Sequence, residues 1–119
     1  MSTEPRTITV RTLDHGTLTV PEPTWCTGHA PYVGYRDDFT HYGPEQQLHF
    51  HGHLLWTAML AHAPFSASPR VGVYVEQTGF AGTLDAAGLR ELAAVQDVHA
   101  EQLRRLAREL EAQQDGGDR

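Results

Sequence analysis

The stretch that decides the fold runs from residue 85 to residue 117 and reads DAAGLRELAAVQDVHAEQLRRLARELEAQQDGG. Asp85 precedes a helical pattern, and its carboxylate can accept the free N–H groups of a first helical turn. Gly116 and Gly117 follow the pattern. The sequence therefore predicts one long amphipathic helix that begins after Asp85. Its apolar face is a seam spaced by alternating steps of three and four residues: Leu89, Leu92, Gln96, His99, Leu103, Leu106 and Leu110.

The length of this helix predicts a second role for its C-terminal half. About 28 residues at about 1.5 Å each span roughly 42 Å, whereas a domain of this size has a radius of gyration of about 13–14 Å. We expect Leu89 and Leu92 to cover a sheet and the last turns to extend beyond the core. The seam there, made of Leu103, Leu106 and Leu110, predicts a homodimer or a partner protein bound through the C-terminal helix.

Upstream of the helix, the pattern is that of β-strands. Residues 7–13 and 17–20 alternate apolar and polar side chains around Asp14-His15-Gly16, which predicts a β-hairpin. Residues 46–51 and 71–75 also have strand character. The segment LLWTAMLA at 54–61 is apolar on both faces, so a buried strand and a short helix both stay open.

The order of these elements indicates the fold class. Residues 21–44 contain four prolines and form a long loop, which in a compact domain is usually functional or held in place by something. Strands first and one helix last predict an α+β fold, with a mainly antiparallel sheet of about four to five strands and a long C-terminal amphipathic helix. We expect residues 1–113 to form a single domain and residues 114–119 a disordered C-terminal tail.

Composition and charge exclude several classes of partner. The chain has 119 residues and a formal net charge of −6, and all nine basic residues are arginines. An acidic domain repels phosphate backbones and anionic lipid, so we expect neither nucleic acid nor a membrane as partner. Cys26 is the single cysteine, which excludes an intramolecular disulfide. No signal peptide and no apolar segment of membrane-spanning length is recognisable, so we expect a cytoplasmic protein.

The sharpest chemical signal lies in the long loop. Cys26 and His29 are three residues apart, and His41 follows in the same loop. A thiolate and imidazoles are the ligands that zinc favours, and a structural zinc would explain how a long loop stays ordered. Alternatively, Cys26 is an ordinary buried thiol and the histidines bind the loop backbone. The fourth ligand stays open between Glu22 and one of His49, His51 and His53.

A second histidine cluster suggests a different function. His49, His51 and His53 recur with period two, so an uninterrupted strand would place them on one face. Two such histidines with a carboxylate could form the site of a metal-dependent enzyme. Alternatively, these histidines lie on a solvated strand face, which is the simpler interpretation because Gly52 can interrupt the regular alternation. Neither a phosphate-binding loop nor a nucleophile elbow is present, and no oxyanion site accompanies Cys26.

Four segments carry a resemblance to a known family: EPTWCTGH at 22–29, THYGPE at 40–45, APF at 63–65 and LDAAGL at 84–89. Together they resemble an actinobacterial, chiefly streptomycete, domain family of unknown function, DUF6907. The resemblance implies a small standalone protein in which the Trp-Cys-x2-His loop is a defining feature. It also implies that some relatives carry a second cysteine near the position of Glu22, where this chain offers a carboxylate.

Three functions follow as hypotheses. The first is a non-catalytic binding or regulatory module whose loop, with Glu22, Cys26, His29 and His41, holds a structural zinc. The second is a metal-dependent enzyme that uses the histidine-rich strand. The third is an oligomerisation or interaction protein that acts through its C-terminal helix.

Overall fold

The computed structural model describes the chain from Arg6 to Gly117, and its side chains as far as Gln114. The α+β class is confirmed, with six strands in two sheets. In chain order the elements are β1 (Arg6–Thr12), β2 (Gly16–Glu22), a single 3-10 turn (Arg36–Asp38), β3 (His41–Tyr42), β4 (Gln46–Phe50), β5 (His53–His62), β6 (Gly72–Gln77) and α1 (Ala86–Gly117).

The hairpin predicted at the start of the chain is confirmed as β1 and β2. The two strands pair antiparallel from Arg6 opposite Glu22 to Thr12 opposite Gly16. Gly16 has a φ of +66°, a conformation that glycine adopts without steric penalty. Alternation then places one apolar face inward, and the buried side chains there form a cluster of Val10, Val20 and Phe39.

The second sheet contains the other four strands, with β3 and β4 on either side of β5 and with β6 also paired to β5. The segment LLWTAMLA therefore lies in a strand, and the helical alternative is excluded. The β4–β5 turn is made by His51 and Gly52, with φ values of +49° and +80°, as expected for a two-residue hairpin loop of type I′. A register shift between Leu48 and His49 interrupts the β4–β5 pairing.

This geometry corrects the prediction for the three histidines of residues 49–53. His49 lies in β4, His51 in the turn and His53 in β5, so they do not share one face of one strand. The left-handed backbone of the turn breaks the period-two alternation on which the prediction depended. All three histidines are exposed.

The helix begins where the sequence predicts. The Asp85 carboxylate accepts a hydrogen bond from the Gly88 backbone N–H at 2.8 Å, which is the bond of an N-cap. The helix extends to Gly117, so the tail predicted for 114–119 overlaps its last turn, and residues 118 and 119 lie outside the described residues. No helix among residues 6–117 is long and apolar enough to cross a membrane.

The buried face of α1 differs from the predicted seam at its start. Leu89 was expected on the sheet, but it is 57% exposed, so that prediction is wrong. Gly88 is buried instead, and Leu92 packs against the cluster of Leu48, Phe50 and Leu55 as expected. Steps of three and four residues allow more than one rotational phase. A Cβ at the buried Gly88 would lie 3.2 Å from the Asp85 carboxylate and 3.3 Å from the Cβ of Leu84, so this position favours glycine.

The C-terminal half of the seam is partly covered by the chain itself. Leu106 is 5% exposed, and Leu103 and Leu110 are half-buried. The sequence predicts that the last turns extend beyond the core. Leu106 does not fit this prediction, because the single chain already buries its side chain. Contact with a second helix through these leucines stays a prediction.

Residue contacts group the chain into two compact units. The first comprises the chain up to Pro44 together with Ala61–Gly72, and the second comprises Glu45–Leu60 and the chain from Val73 onward. Each unit has its own cluster of buried apolar side chains. The four predicted zinc ligands all belong to the first unit.

Candidate metal centre

Four side chains that can bind a metal converge in the first unit. Glu22, Cys26, His29 and His41 each offer one ligand atom, and these four atoms all lie within 4.8 Å of one another. They include the three ligands predicted from the loop. Of the candidates that the sequence leaves open for the fourth position, the structure brings Glu22 to this cluster.

Backbone interactions of the loop position these ligands. Glu22 ends β2, and the Cys26 N–H donates to the Pro23 carbonyl at 3.0 Å to close a tight turn. The Thr27 N–H donates to the Tyr42 carbonyl at 3.0 Å, which ties the turn to β3. Gly28, with a φ of +100°, reverses the chain just before His29, in a conformation that favours glycine.

Strand pairing delivers the remaining ligand. His41 pairs with His62 at the end of β5, so the position of the loop's second half depends on a strand that follows later in the chain. The guanidinium of Arg6 donates to the Pro23 carbonyl at 3.0 Å and so fixes the start of the turn against β1. The centre is therefore assembled from both ends of the loop.

His29 Nε2 lies at the middle of the cluster. It is 3.3 Å from Cys26 Sγ, 3.2 Å from His41 Nδ1 and 3.3 Å from Glu22 Oε1. One imidazole nitrogen carries at most one hydrogen, so it cannot satisfy three such neighbours with hydrogen bonds. A tetrahedral zinc with N, O and S ligands separates those ligand atoms by about 3.3–3.6 Å, which follows from bond lengths of about 2.0–2.3 Å. The three distances from His29 Nε2 are close to these values, and all separations within the cluster are at most 4.8 Å.

The centre is shielded from water. Cys26 is 6% exposed and His41 1%, and the side chains of His29 and Glu22 are each 11% exposed. Glu22 Oε1 is fully buried and makes no hydrogen bond with the described residues, despite its 3.3 Å approach to His29. A buried carboxylate oxygen without a partner is unfavourable, and a bound cation would supply the missing interaction.

Burial also sets the protonation of the ligands. It lowers the pKa of His41 to about 4, with further lowering by the charges of His29 and His62, so this imidazole is neutral at neutral pH and can bind a metal through a lone pair. Burial raises the pKa of the Cys26 thiol, and the nearby Glu22 carboxylate adds to that effect. A divalent cation reverses this preference because it stabilises the thiolate.

Two aromatic neighbours hold the histidines, and sequence reasoning missed both. Phe39 is fully buried, and its ring centroid lies 4.8 Å from that of His29 and 5.0 Å from that of His41. His62 stacks on His41 at 6.0 Å and donates through Nε2 to the Pro69 carbonyl at 2.8 Å. The sequence could have indicated Phe39, because it precedes His41 by two residues. The contact of His62 with His41 could be found only from the strand register.

The histidines outside the loop make other contacts. His51 Nε2 lies 2.7 Å from a Glu91 carboxylate oxygen, and both side chains are more than half exposed. The His53 ring lies 5.4 Å from Phe80. Among the residues that the structure describes, the loop cluster is the single group of three or more potential ligands close enough to share an ion.

Fold and site together define a small α+β protein with a buried Glu-Cys-His-His centre. The family model described as a domain of unknown function, DUF6907, matches residues 7–112, and the chain belongs to this family. No curated protein and no solved structure matches the chain. The match confirms the resemblance to this domain family, whose description gives no activity.

Proposed function

We propose that the protein is a binding or regulatory module whose loop is held by one structural zinc ion, bound by Glu22, Cys26, His29 and His41. The observation that carries the proposal is the position of His29 Nε2, within 3.3 Å of the three other ligand atoms. A zinc ion amid these atoms accounts for all of these short separations at once.

The donor set favours zinc over other abundant divalent cations. Magnesium and calcium prefer oxygen ligands, whereas one thiolate and two imidazoles are typical of zinc. Charge balance supports the same ion. A divalent cation with one thiolate, one carboxylate and two neutral imidazoles has no net charge, so the buried centre avoids the free-energy penalty of an uncompensated buried charge.

The closed geometry favours a structural role over a catalytic one. Catalytic zinc usually keeps one coordination position open for water or substrate, whereas here four protein ligand atoms lie within 4.8 Å of one another and little of the centre is exposed. The loop from 23 to 40 contains only the short turn Arg36–Asp38 as regular structure. Metal ligation supplies folding free energy to such a segment.

A metal-dependent enzyme built on the second histidine cluster is not proposed. That function requires His49, His51 and a carboxylate to converge on a pocket. The three histidines of residues 49–53 are exposed and lie on two strands and a turn, and Glu91 contacts His51 at the surface.

A protein partner of the C-terminal helix is a second, independent proposal. Leu103 and Leu110 are half-buried, one turn on either side of Leu106, and a second helix packed along this face would cover them. Sedimentation of the full chain and of Leu110→Gln tests it. A smaller species for Leu110→Gln supports the proposal, and identical sedimentation as monomers contradicts it.

Metal analysis tests the zinc proposal directly. Protein purified under reducing, chelator-free conditions is expected to contain about one zinc per chain, and Cys26→Ser and His41→Ala are expected to contain much less. His49→Ala is the matched control, because this exposed histidine lies outside the centre. A stoichiometry near zero for the wild-type chain would overturn the proposal.

Cobalt substitution adds a readout that depends on the ligands themselves. A cobalt ion in the centre is expected to show tetrahedral absorption bands together with a sulfur-to-metal charge-transfer band. Cys26→Ser should lose the charge-transfer band, and His49→Ala should keep both features. A cobalt spectrum without sulfur ligation in the wild-type chain would exclude Cys26 as a ligand.

A further inference from the structure

A shallow cavity of about 420 Å³ lies beside the candidate metal centre. Its wall includes His29, a proposed zinc ligand, and Thr40 and Tyr42, which flank the ligand His41. The opposite part of the wall comes from the loop residues Tyr32 and Val33. The cavity is therefore formed by the same segment that the zinc is proposed to hold, and it lies entirely within the first unit.

The charge of this wall has one sign. Asp38 is the single carboxylate among the described residues that line the cavity, and no arginine lines it. The nearest basic residue in sequence, Arg36, pairs with Asp37 at 3.2 Å. Burial raises the pKa of the Tyr32 phenol, and the negative charges of Asp38 and Asp14 raise it further. The carboxylates of Asp38 and Asp14 thus act on Tyr32 as negative charges.

The remaining wall is aromatic and apolar. Tyr32 and Tyr42 line the cavity together with Val33, whose apolar side chain is largely exposed. The Tyr32 hydroxyl donates to the Tyr35 carbonyl at 2.6 Å, and its ring packs edge-on against Phe39, so this ring is held in place. Electron-rich rings beside a carboxylate attract organic cations, and aromatic cages bind quaternary ammonium groups in this way.

We propose that this cavity binds a small quaternary ammonium compound, with Asp38 as counter-charge and Tyr32 and Tyr42 as aromatic walls. The proposal goes beyond the zinc centre, since the ligand is a different molecule at a different site. The two are compatible electrostatically, because a zinc with two anionic and two neutral ligands carries no net charge that would repel a cation.

Titration of the metal-loaded full chain with choline, followed by NMR, tests the proposal. The uncharged carbon analogue, in which a tert-butyl group replaces the trimethylammonium group, is the matched ligand control. We expect choline to shift backbone resonances of residues 28–42 with a dissociation constant of order millimolar, and the analogue to bind at least about fivefold more weakly. No binding of choline, or equal binding of the analogue, would overturn the proposal.

Two exposed aspartates provide matched variants. Asp38→Asn should weaken choline binding about fivefold or more, whereas Asp97→Asn should leave it unchanged because Asp97 lies on α1 and is not part of the cavity wall. Equal affinities of wild type and Asp38→Asn would contradict the proposal. Zinc content is measured first, so that the two proposals fail separately. A zinc stoichiometry near zero would contradict the zinc proposal, and choline binding to that protein would still support the ligand proposal.

Discussion

Two regions of this chain contain histidines and differ in structure. In the loop, His29 and His41 are buried within a few ångströms of a thiol and a carboxylate. In the β4–β5 hairpin, His49, His51 and His53 are exposed. The hairpin histidines are closer together in sequence, yet the distant pair forms the candidate site. Proximity along the chain is therefore a poor guide to a shared site when a tight turn intervenes.

The physical reason is the backbone at each place. A type I′ turn requires positive φ at two successive residues. In this chain His51 and Gly52 meet that requirement, and the turn removes the hairpin histidines from a common face. In the loop, three interactions bring the ligands together: the turn at Cys26, the hydrogen bond from Thr27 to Tyr42, and the pairing of His41 with His62. The following predictions test this contrast in order of expected effect.

The largest effect is expected from removing a buried ligand. In the presence of zinc, His41→Ala should lower the free energy of unfolding by about 4 kcal/mol, because the metal no longer stabilises the folded state and the other ligands stay buried. His49→Ala, at an exposed site, should change it by less than about 0.5 kcal/mol. Urea unfolding of both variants measures the difference. Similar losses of unfolding free energy in the two variants would contradict the proposed difference between the loop and the hairpin.

Two buried phenylalanines sharpen the comparison. Phe39 and Phe50 are each almost fully buried and each contacts a histidine ring, so replacement by alanine should lower the free energy of unfolding by about 3 kcal/mol in both cases. Only Phe39→Ala should also weaken zinc binding, by about tenfold, because Phe39 orients two ligands. Competition with a chromophoric chelator measures this, and an equal effect of Phe50→Ala on zinc affinity would contradict the role of Phe39.

A smaller effect is expected for the carboxylate ligand. Glu22→Gln preserves the shape of the side chain and removes its charge, so zinc affinity should fall about tenfold, equivalent to about 1.4 kcal/mol. Glu45→Gln is the control, since Glu45 is exposed and accepts a hydrogen bond only from its neighbour Gln47. Unchanged zinc affinity in Glu22→Gln would show that the metal is held by three protein ligands.

The smallest effect tests the turn itself. His51→Asn should raise the free energy of unfolding by about 0.5 kcal/mol, because asparagine adopts positive φ more readily than histidine. The lost contact with Glu91 is exposed and contributes little. His53→Asn, in the strand, should give no gain, and thermal unfolding compares the two. A loss of stability in His51→Asn would mean that the contacts of His51 with Glu91 and with the Phe50 ring outweigh the turn.

The candidate site was predictable in part. Cys26 and His29 are near in sequence, and a loop too long to order itself indicated that His41 belongs with them. Glu22 could not be chosen over the hairpin histidines, because that choice depends on where the strand pairs bring the loop ends. The aromatic support by Phe39 and His62 likewise follows from packing and from strand register.

The sequence by itself determined the features that have local causes. The Asp85 cap, the helical period after it and the alternation in β1 and β2 depend on neighbours a few residues apart, so the α+β class could be derived from pattern alone. Tertiary structure decided the rotational phase of the helix, in which Gly88 is buried and Leu89 is exposed, and the assembly of the metal ligands. These depend on close packing and strand pairing between distant segments, which no local period encodes.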